Sequence, residues 1–346
     1  MNFLHKANIA SRVFKSLVFG QVPNYAIVYV DGRCNMHCDF CCHAAMDARK
    51  TGRVSPSEWG FAFKRAKSLL HLTITGGEPF LRKDLTGIIS EIIDNSGVPR
   101  VSIKSNGFYI ERIKQDIPIL IKKYPNTEFT LSISLDGPKN IHDKVRNFKG
   151  AYDRVLETIS IMEKYRKEKN FFLRLASVLT SENKDFLPDF LKQTDGWQID
   201  FHEVILIRDI PDKEQLKLKN IYQELSEGQQ IKSSSGWKKS FNGKIFDKLY
   251  KETIKRMDKS EKYSPCVAGS RFVEIFPDGL VRGCEVEKLW DMSTIGKVEY
   301  KKDIVDILNS KKAKDFAKFA KNCSCTFGCA NAISTVYDTK NWPSLI

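Results

Sequence analysis

The sequence lacks the long apolar segments that membrane-spanning and secreted chains require. None of its 346 residues lies in an apolar run approaching the ~18 residues that cross a bilayer. Its start does not show the basic head, apolar core and small-residue cleavage site of a signal peptide. We therefore expect a cytoplasmic protein of ordinary globular composition, because 42% of its residues are apolar and 28% are charged.

Acidic residues are the minority among the charged ones. There are 42 Asp and Glu against 56 Lys and Arg, which gives a formal net charge of +14. Such an excess favours an anionic partner when it is concentrated in one patch. Here it is spread along the chain, as in 301–321, so we interpret it as solvated helix faces and expect no nucleic-acid partner.

Cysteine is missing from the whole middle of the chain. Four of the nine cysteines lie between Cys34 and Cys42, and the other five lie between Cys266 and Cys329. A reducing cytosol disfavours disulfides, so two clusters of thiols in such a chain indicate metal binding. We expect one metal site near each end.

Between the two cysteine clusters, short β-rich runs alternate with amphipathic helical patterns. This alternation is typical of βα units and a parallel sheet. Six units fall short of the eight of a closed barrel, so we predict an α/β fold with an open, partial (β/α)6 barrel whose site lies at the carboxyl ends of the strands. The strands are predicted at Ala26–Asp31, Leu72–Thr75, Val101–Ser105, Phe129–Leu135, Phe172–Leu179 and Ile199–Ile207, and the helices at Ser57–Leu70, Leu85–Ser96, Glu111–Lys123, Ala151–Lys167, Lys184–Lys192 and Lys213–Leu225.

We divide the chain into four segments. Residues 1–24 are predicted to form a basic amphipathic helix that docks on the protein, with peripheral membrane contact as the alternative. Residues 25–210 form the barrel, 211–262 a helical linker, and 263–346 a small domain. In that last domain a Pro-Asp-Gly turn at 277–279 predicts a hairpin of Arg271–Phe276 and Leu280–Cys284, followed by a helix over 304–321.

The first cysteine cluster has the spacing C-x3-C-x2-C, at Cys34, Cys38 and Cys41. Three thiolates on one loop can hold three irons of a [4Fe-4S] cube and leave the fourth iron open, whereas a structural zinc needs a fourth ligand. A three-cysteine zinc site completed by His37 or His43 is the alternative. With this loop the sequence resembles the radical S-adenosylmethionine (SAM) superfamily, in which the open iron binds SAM and reductive cleavage gives a 5′-deoxyadenosyl radical.

Further strand ends extend that resemblance. Gly76-Gly77-Glu78-Pro79 follows the second strand, where the superfamily holds the SAM ammonium group. The resemblance also implies contacts with SAM for Ser105, Asn106, Ser134 and Asp136, and it places Phe40 beside adenine. We predict that Arg174 pairs with the SAM carboxylate, since arginine is the usual bidentate partner of carboxylates. An ion pair within the barrel is the alternative for Arg174.

The second cysteine cluster resembles the start of a SPASM or twitch module. Cys266 is followed after twelve residues by Gly279 and after four more by Cys284, and then come Cys323, Cys325 and Cys329. The turn at Gly279 brings the first two cysteines together. Five cysteines fit one auxiliary [4Fe-4S] cluster, for which we choose Cys266, Cys284, Cys325 and Cys329, with Cys323 spare. A four-cysteine zinc knuckle is the alternative.

The resemblance implies an enzyme that removes a hydrogen atom from a substrate above the barrel mouth. An auxiliary cluster suits net oxidation, with electrons supplied by a donor such as flavodoxin or ferredoxin. Peptide-modifying relatives often carry a leader-binding domain before the barrel, for which 24 residues are too few, so we favour a sugar, lipid or other metabolite. Modification of a ribosomally made peptide is the first alternative. A non-catalytic iron-sulfur or zinc protein that binds nucleic acid is the second.

Overall fold

The structure, a computed structural model, describes residues 11–13, 15–16, 21–41, 54–208, 210–228, 241–258, 263–286, 290–299 and 302–341. Its strands share one sheet in the order β6-β5-β4-β3-β2-β1-β7-β8-β9. They are β1 (Tyr25–Asp31), β2 (His71–Gly76), β3 (Arg100–Ser105), β4 (Glu128–Ser134), β5 (Phe171–Leu179), β6 (Phe201–Leu206), β7 (Phe272–Ile275), β8 (Leu280–Arg282) and β9 (Thr294–Lys297).

The six strands β1 to β6 pair in parallel, each with its neighbour along the chain. This confirms the predicted α/β fold with a partial barrel. All seven residues of β1 are buried, as expected of a strand covered on both faces. The predicted hairpin is also present, and β7 pairs in parallel with β1, so the C-terminal domain continues the barrel sheet.

The helices begin and end at identifiable residues. Helix α1 begins after Ser55, which forms a capping box with Glu58, and Pro56 is its first residue. Helix α2 ends at Gly97, which adopts the left-handed conformation that glycine favours. The helices are α1 (Pro56–Phe63), α2 (Leu85–Ser96), α3 (Ile110–Lys123), α4 (Lys139–Val145), α5 (Ala151–Met162), α6 (Leu187–Gln193), α7 (Asp212–Lys217), α8 (Lys219–Gly228), α9 (Phe241–Asp258), α10 (Trp290–Ser293), α11 (Ile304–Leu308), α12 (Lys311–Ala320) and α13 (Gly328–Tyr337).

Several predicted helices are shorter in the structure or are divided in two. The helix predicted for Ala151–Lys167 ends at Met162. The helix predicted for Ser57–Leu70 ends at Phe63, although Ala66, Leu69 and Leu70 beyond it remain buried in turns. The apolar period there reflects burial and not helical geometry. The helices predicted for 213–225 and 304–321 are each divided in two, and Ser310 caps the second part of the latter by accepting from the Ala313 amide.

Most of the predicted N-terminal helix, 1–24, lies outside the described residues. In the described part, Arg12 donates to the Lys67 carbonyl at 2.8 Å and to the Leu69 carbonyl at 2.9 Å, so this part docks on the barrel. The segment predicted as a helical linker contains α7, α8 and α9, of which α9 buries Leu249 and Tyr250. None of the described helices is both long enough and apolar enough to cross a membrane.

Candidate active site and cluster ligands

The first cysteine loop follows β1, and its sulfurs already face hydrogen-bond donors. The Met36 amide lies 3.4 Å from Cys34 Sγ, and Asn106 Nδ2 lies 3.7 Å from the same sulfur. Burial raises the pKa of the Cys34 thiol to about 11, with Glu78, Cys38 and Cys41 adding negative charge nearby. A thiolate in this loop is therefore unfavourable unless a metal stabilises it, and the role of the three cysteines as ligands stays a prediction.

The Gly-Gly-Glu-Pro segment is joined to the start of that loop by backbone hydrogen bonds. The Gly77 amide donates to the Asp31 carbonyl and the Glu78 amide to the Arg33 carbonyl, both at 2.9 Å. A Cβ on Gly77 would lie 2.2 Å from the Arg33 carbonyl oxygen, and one on Gly76 would lie 2.1 Å from the Asp31 carbonyl oxygen. The two glycines are therefore required by this close approach of two backbones.

Glu78 is fully buried and holds the end of the third strand. Its carboxylate accepts from the Asn106 amide at 2.8 Å, from Ser105 Oγ at 3.0 Å and from the Phe80 amide at 3.1 Å. Burial raises its pKa to about 7, although these donors lower it. The structure thus brings Glu78, Ser105 and Asn106 together beside Cys34, as the sequence indicated, while their contacts with SAM stay predictions.

A buried ion pair at the end of the fourth strand reaches the cysteine loop. Arg146 Nε lies 2.7 Å from an Asp136 carboxylate oxygen, and Arg146 Nη1 lies 3.6 Å from Cys38 Sγ. Burial would raise the pKa of Asp136, but Arg146 and His142 hold it well below its usual value. The guanidinium also lies 5.1 Å from the Phe40 ring centroid.

Sequence reasoning missed this role of Arg146. No local motif distinguishes this arginine in the sequence. Ser134 is the last residue of β4 and is half-buried, so it lies at the predicted edge. The loop cysteine Cys42 and the alternative zinc ligand His43 lie outside the described residues.

A cavity of about 550 Å³ fills the barrel below these strand ends. Thr75, immediately before Gly76, lines it, and α9 and α13 close the side that the partial barrel leaves open. Glu203 in this cavity pairs with Lys104 and Arg174, each at 3.4 Å, and Arg174 Nε donates to Ser132 Oγ at 3.1 Å. Arg174 thus forms the ion pair that was the alternative to its predicted contact with the SAM carboxylate.

A second polar group lies at the same cavity. Glu285 accepts a hydrogen bond from the Tyr29 hydroxyl and pairs with Arg208, whose guanidinium lies 4.6 Å from the Phe327 ring centroid. Sequence reasoning missed Tyr29, Arg208 and Glu285, because no local motif distinguishes them. These three residues come together because β1, the end of β6 and the C-terminal domain all line the barrel cavity.

The C-terminal cysteines occupy two different places. Cys266 and Cys284 are buried and both lie near Cys323, and the Cys325 thiol interacts with Cys323. Cys329 instead lines the barrel cavity, where its neighbours are Tyr25, Lys104 and Arg208. The structure therefore groups Cys323 with Cys266, Cys284 and Cys325, while the ligand set that we chose from the sequence stays a prediction.

The donor sets consist of cysteine thiols, which are the ligands of iron-sulfur clusters and bind one iron of a cube each. Among the described residues, no three His, Cys, Asp or Glu side chains converge on a single point. Asn35 Nδ2, beside Cys34, is buried without a hydrogen-bond partner, so the first loop also presents an N–H donor that no described protein group accepts from.

Comparison with protein families gives two matches. Residues 28–192 match the Radical SAM superfamily, and residues 266–330 match SPASM, an iron-sulfur cluster-binding domain. Together they include all eight cysteines that the structure describes. The domain boundaries that we set from sequence bracket both matches.

Several curated relatives are similar over much of the chain. A probable GTP 3′,8-cyclase of Methanocaldococcus jannaschii is 24% identical over 77% of this chain and 86% of its own length. A cysteine-type anaerobic sulfatase-maturating enzyme of Clostridium novyi is 27% identical over 78% of this chain and 75% of its own. The sporulation killing factor maturation protein SkfB of Bacillus subtilis is 25% identical over 50% of this chain, but over only 40% of its own length.

Solved structures share the fold. Native anSMEcpe with bound AdoMet superposes with a TM-score of 0.62 at 18% identity, covering 90% of this chain and 88% of that one. Streptococcus suis SuiB superposes with a TM-score of 0.57 at 14% identity, covering 88% of this chain and 69% of that one.

Proposed function

The chain belongs to the radical SAM superfamily and carries an iron-sulfur cluster-binding SPASM domain, and from that premise we propose that it removes a hydrogen atom from a polar substrate held in the barrel cavity. As a radical SAM enzyme it uses SAM and [4Fe-4S] clusters. When bound, SAM and its cluster supply a strong abstractor of hydrogen atoms through reductive cleavage. The cavity is the observation that carries the proposal.

We assign the cofactor contacts to the strand ends. Cys34, Cys38 and Cys41 hold the first cluster, and Asn106 and Arg146 direct N–H groups at two of those sulfurs. Ionised Glu78 accepts from the SAM ammonium group, with Gly76 and Gly77 allowing the close approach. Phe40 lies beside adenine, and Ser134 and Asp136 complete the SAM site.

The size and charge of the cavity favour a small polar substrate. A volume of about 550 Å³ is within the range of small-molecule sites. Its upper part presents three cationic side chains (Lys104, Arg174, Arg208) and two carboxylates (Glu203, Glu285). These groups pair with one another, and a polar group of the substrate would bind among them. Most of the remaining lining is apolar, including Ile27, Leu206 and Leu249, so the cavity suits a metabolite that combines a polar group with apolar surface.

A peptide is the second candidate substrate. SkfB is named as a maturation protein, and SuiB has been crystallised with the precursor peptide SuiA. The sulfatase-maturating enzyme is a further relative of this kind. A cavity that accepts a small molecule also accepts one side chain of an extended peptide.

We further propose a net oxidation. The C-terminal cysteines would hold an auxiliary cluster that, when bound, would take up the electron released by a net oxidation, and a flavodoxin or ferredoxin would supply electrons to the first cluster in the cytoplasm. Exclusion of water by the covered cavity protects the radical from side reactions. The charged lining orients the substrate, which is the contribution expected of the protein where a cofactor performs the difficult step.

The test is anaerobic incubation with SAM and dithionite. We expect 5′-deoxyadenosine from the native protein and none from Cys38→Ala, with Glu157→Gln on the exposed surface as the control variant. Deuterated candidate metabolites and peptides then identify the substrate class by transfer of deuterium into 5′-deoxyadenosine. If the native protein with both clusters loaded forms no 5′-deoxyadenosine, the proposal is wrong.

A further inference from the structure

A buried arginine that no part of the proposed reaction uses lies against the C-terminal domain, on the last helix of the linker segment. Arg256 lies on α9 and is 1% exposed. Its Nη1 donates to the Cys323 carbonyl at 2.9 Å and approaches the Cys325 carbonyl at 3.5 Å, and its Nη2 donates to the Ser264 carbonyl. One guanidinium therefore joins the segment before Cys266 to the loop that carries Cys323 and Cys325.

The charge of Arg256 is not balanced by a carboxylate. Among the described residues no Asp or Glu forms an ion pair with it, and its buried Nε has no hydrogen-bond partner. Its other close contact is the Tyr263 ring, at 4.4 Å from the centroid. A buried cation with only carbonyl and ring contacts is unfavourable unless an anion lies nearby. Glu252, one turn earlier on α9, and Asp338 accept from the Ser264 amide and hydroxyl, and among the described residues neither forms an ion pair with Arg256. The loop that the guanidinium itself contacts carries the ionisable thiols of Cys323 and Cys325.

The positions of the cysteines show which thiols are concerned. Cys266 and Cys284 are both buried, and Cys323 lies near each of them, while Cys325 lies beside Cys323. The Asn331 amide group also donates to the Cys325 carbonyl at 3.1 Å, so the loop is held from two sides. Arg256 contributes favourable charge at Cys266.

Cys329 is separated from this group by the fold. Phe327 lies between it and Cys325 in sequence, and the Phe327 ring packs on Phe272 at 5.4 Å between centroids. Cys329 then begins the first turn of α13 and lines the barrel cavity together with Tyr25 and Lys104. A thiol in that position faces the substrate space and not the other cysteines.

We propose that Cys266, Cys284, Cys323 and Cys325 bind the auxiliary cluster, that Arg256 positions their loops and supplies the counter-charge of the cluster, and that Cys329 is not a ligand. Each of the four thiols loses its proton when it binds iron, and the resulting four thiolates give the cluster a net negative charge that the guanidinium balances. No electron is transferred in this step. The inference rests on the proposed function only in requiring an auxiliary cluster, and it does not depend on the substrate.

The ligand set is tested in a chain that keeps only the auxiliary cluster. Starting from Cys34→Ala/Cys38→Ala/Cys41→Ala, reconstituted anaerobically, we measure iron per chain and the Mössbauer spectrum. We expect about four irons in this background, about four after adding Cys329→Ala, and loss of the intact cluster after adding Cys323→Ala. Loss of the cluster in the Cys329→Ala chain overturns the ligand set, whatever the Cys323→Ala chain does.

The role of Arg256 is tested by the reduction potential of the auxiliary cluster in the same background. Arg256→Gln removes the positive charge, so we expect a more negative potential and faster iron loss to a chelator. Arg256→Lys keeps the charge and is expected to restore most of the native potential, while Lys251→Met, on the exposed face of the same helix, leaves both properties unchanged. An unaltered potential in Arg256→Gln overturns the counter-charge role. Failure of the enzyme to form 5′-deoxyadenosine has no bearing on these readouts.

Discussion

The two cysteine sites are built in opposite ways. The first places three cysteines within eight residues of one loop, and strand ends β1 to β4 surround it. The second collects cysteines from segments near 266, 284 and 323–325, which are joined through a hairpin and Arg256. A local site can be recognised from spacing alone, whereas an assembled site depends on contacts between distant residues.

Charge is balanced differently at the two sites as well. At the first loop, Arg146 next to Cys38 is paired with the buried carboxylate of Asp136. At the second, Arg256 has no carboxylate partner among the described residues. The positive charge at the first site is therefore balanced by a carboxylate before a cluster binds. The positive charge of Arg256 at the second site is balanced only when a cluster binds, so we expect the folding stability of the second region to depend more strongly on iron.

The largest expected effect comes from removing one ligand at each site in turn. Cys38→Ala is expected to lose the first cluster, about four irons, and all formation of 5′-deoxyadenosine. Cys284→Ala is expected to lose the other four irons and to retain cleavage of SAM, because the first loop does not depend on it. Iron analysis and chromatography of 5′-deoxyadenosine measure both. If Cys284→Ala also removes the first cluster, the two sites are not independent.

A large effect on folding is expected from Asp136→Asn. It leaves Arg146 buried without its carboxylate, and breaking a buried pair costs about 3–5 kcal/mol of unfolding free energy. Urea denaturation of the apoprotein measures this change. The control is Asp153→Asn, whose pair with Lys139 is exposed to solvent and for which no measurable change is expected. Equal effects for the two variants would contradict the proposed balance at the first site.

The sequence predicted the first site well because its information is local. The cysteine spacing, the paired glycines that approach Asp31 and Arg33, and Glu78 at a strand end all fall within short segments. The parallel order of β1 to β6 followed from the alternation of strands and helices. Arg146 was missed because its partner, Asp136, lies ten residues away on another element.

The second site was predicted less well for the same reason. Nothing in the pattern of 241–258 distinguishes Arg256 from the solvated cations of that helix, since its burial depends on contacts with 264 and 323–325. The last helix, α13, was not predicted, because it begins with glycine and contains asparagine, and burial of Ala330 and Ile333 stabilises it. Without α13, the position of Cys329 at the cavity could not be inferred.

A smaller effect is expected from pH at the first site. Burial raises the pKa of Glu78 to about 7. The SAM ammonium group favours the ionised carboxylate, so binding is weakened where the carboxyl is protonated, that is, as the pH falls below 7. SAM affinity is expected to rise about fivefold from pH 6 to pH 7, below the usual pKa of an α-amino group.

Calorimetric titration with SAM measures this dependence on protein whose first cluster is loaded. Glu78→Gln cannot ionise, so its weaker affinity is expected to stay constant over the same range. The raised pKa of Glu78 means that its protonated form is favoured in the folded state. The folded protein is therefore also expected to lose stability as the pH rises from 4.5 through 7. A native affinity that does not change with pH would show that Glu78 is not the ammonium acceptor.

The smallest expected effect concerns the contact between the two regions. Arg65, beyond α1, pairs with Asp303 and Asp306 at the start of α11 and is about half exposed. The Asp303 carboxylate is fully buried but keeps its hydrogen bonds from the Val305 and Asp306 amides when Arg65 is replaced, so Arg65→Met is expected to lower the unfolding free energy by about 1 kcal/mol. Asp303→Ala is expected to cost more, about 0.5–2 kcal/mol, because Asp303 also caps α11 through the Val305 and Asp306 amides. Thermal unfolding of both variants, with iron content measured alongside, is the test.

Since β7 pairs with β1 in one sheet, neither change is expected to release the auxiliary cluster. Loss of iron from Arg65→Met would show that the ion pair, and not the shared sheet, joins the two cluster sites.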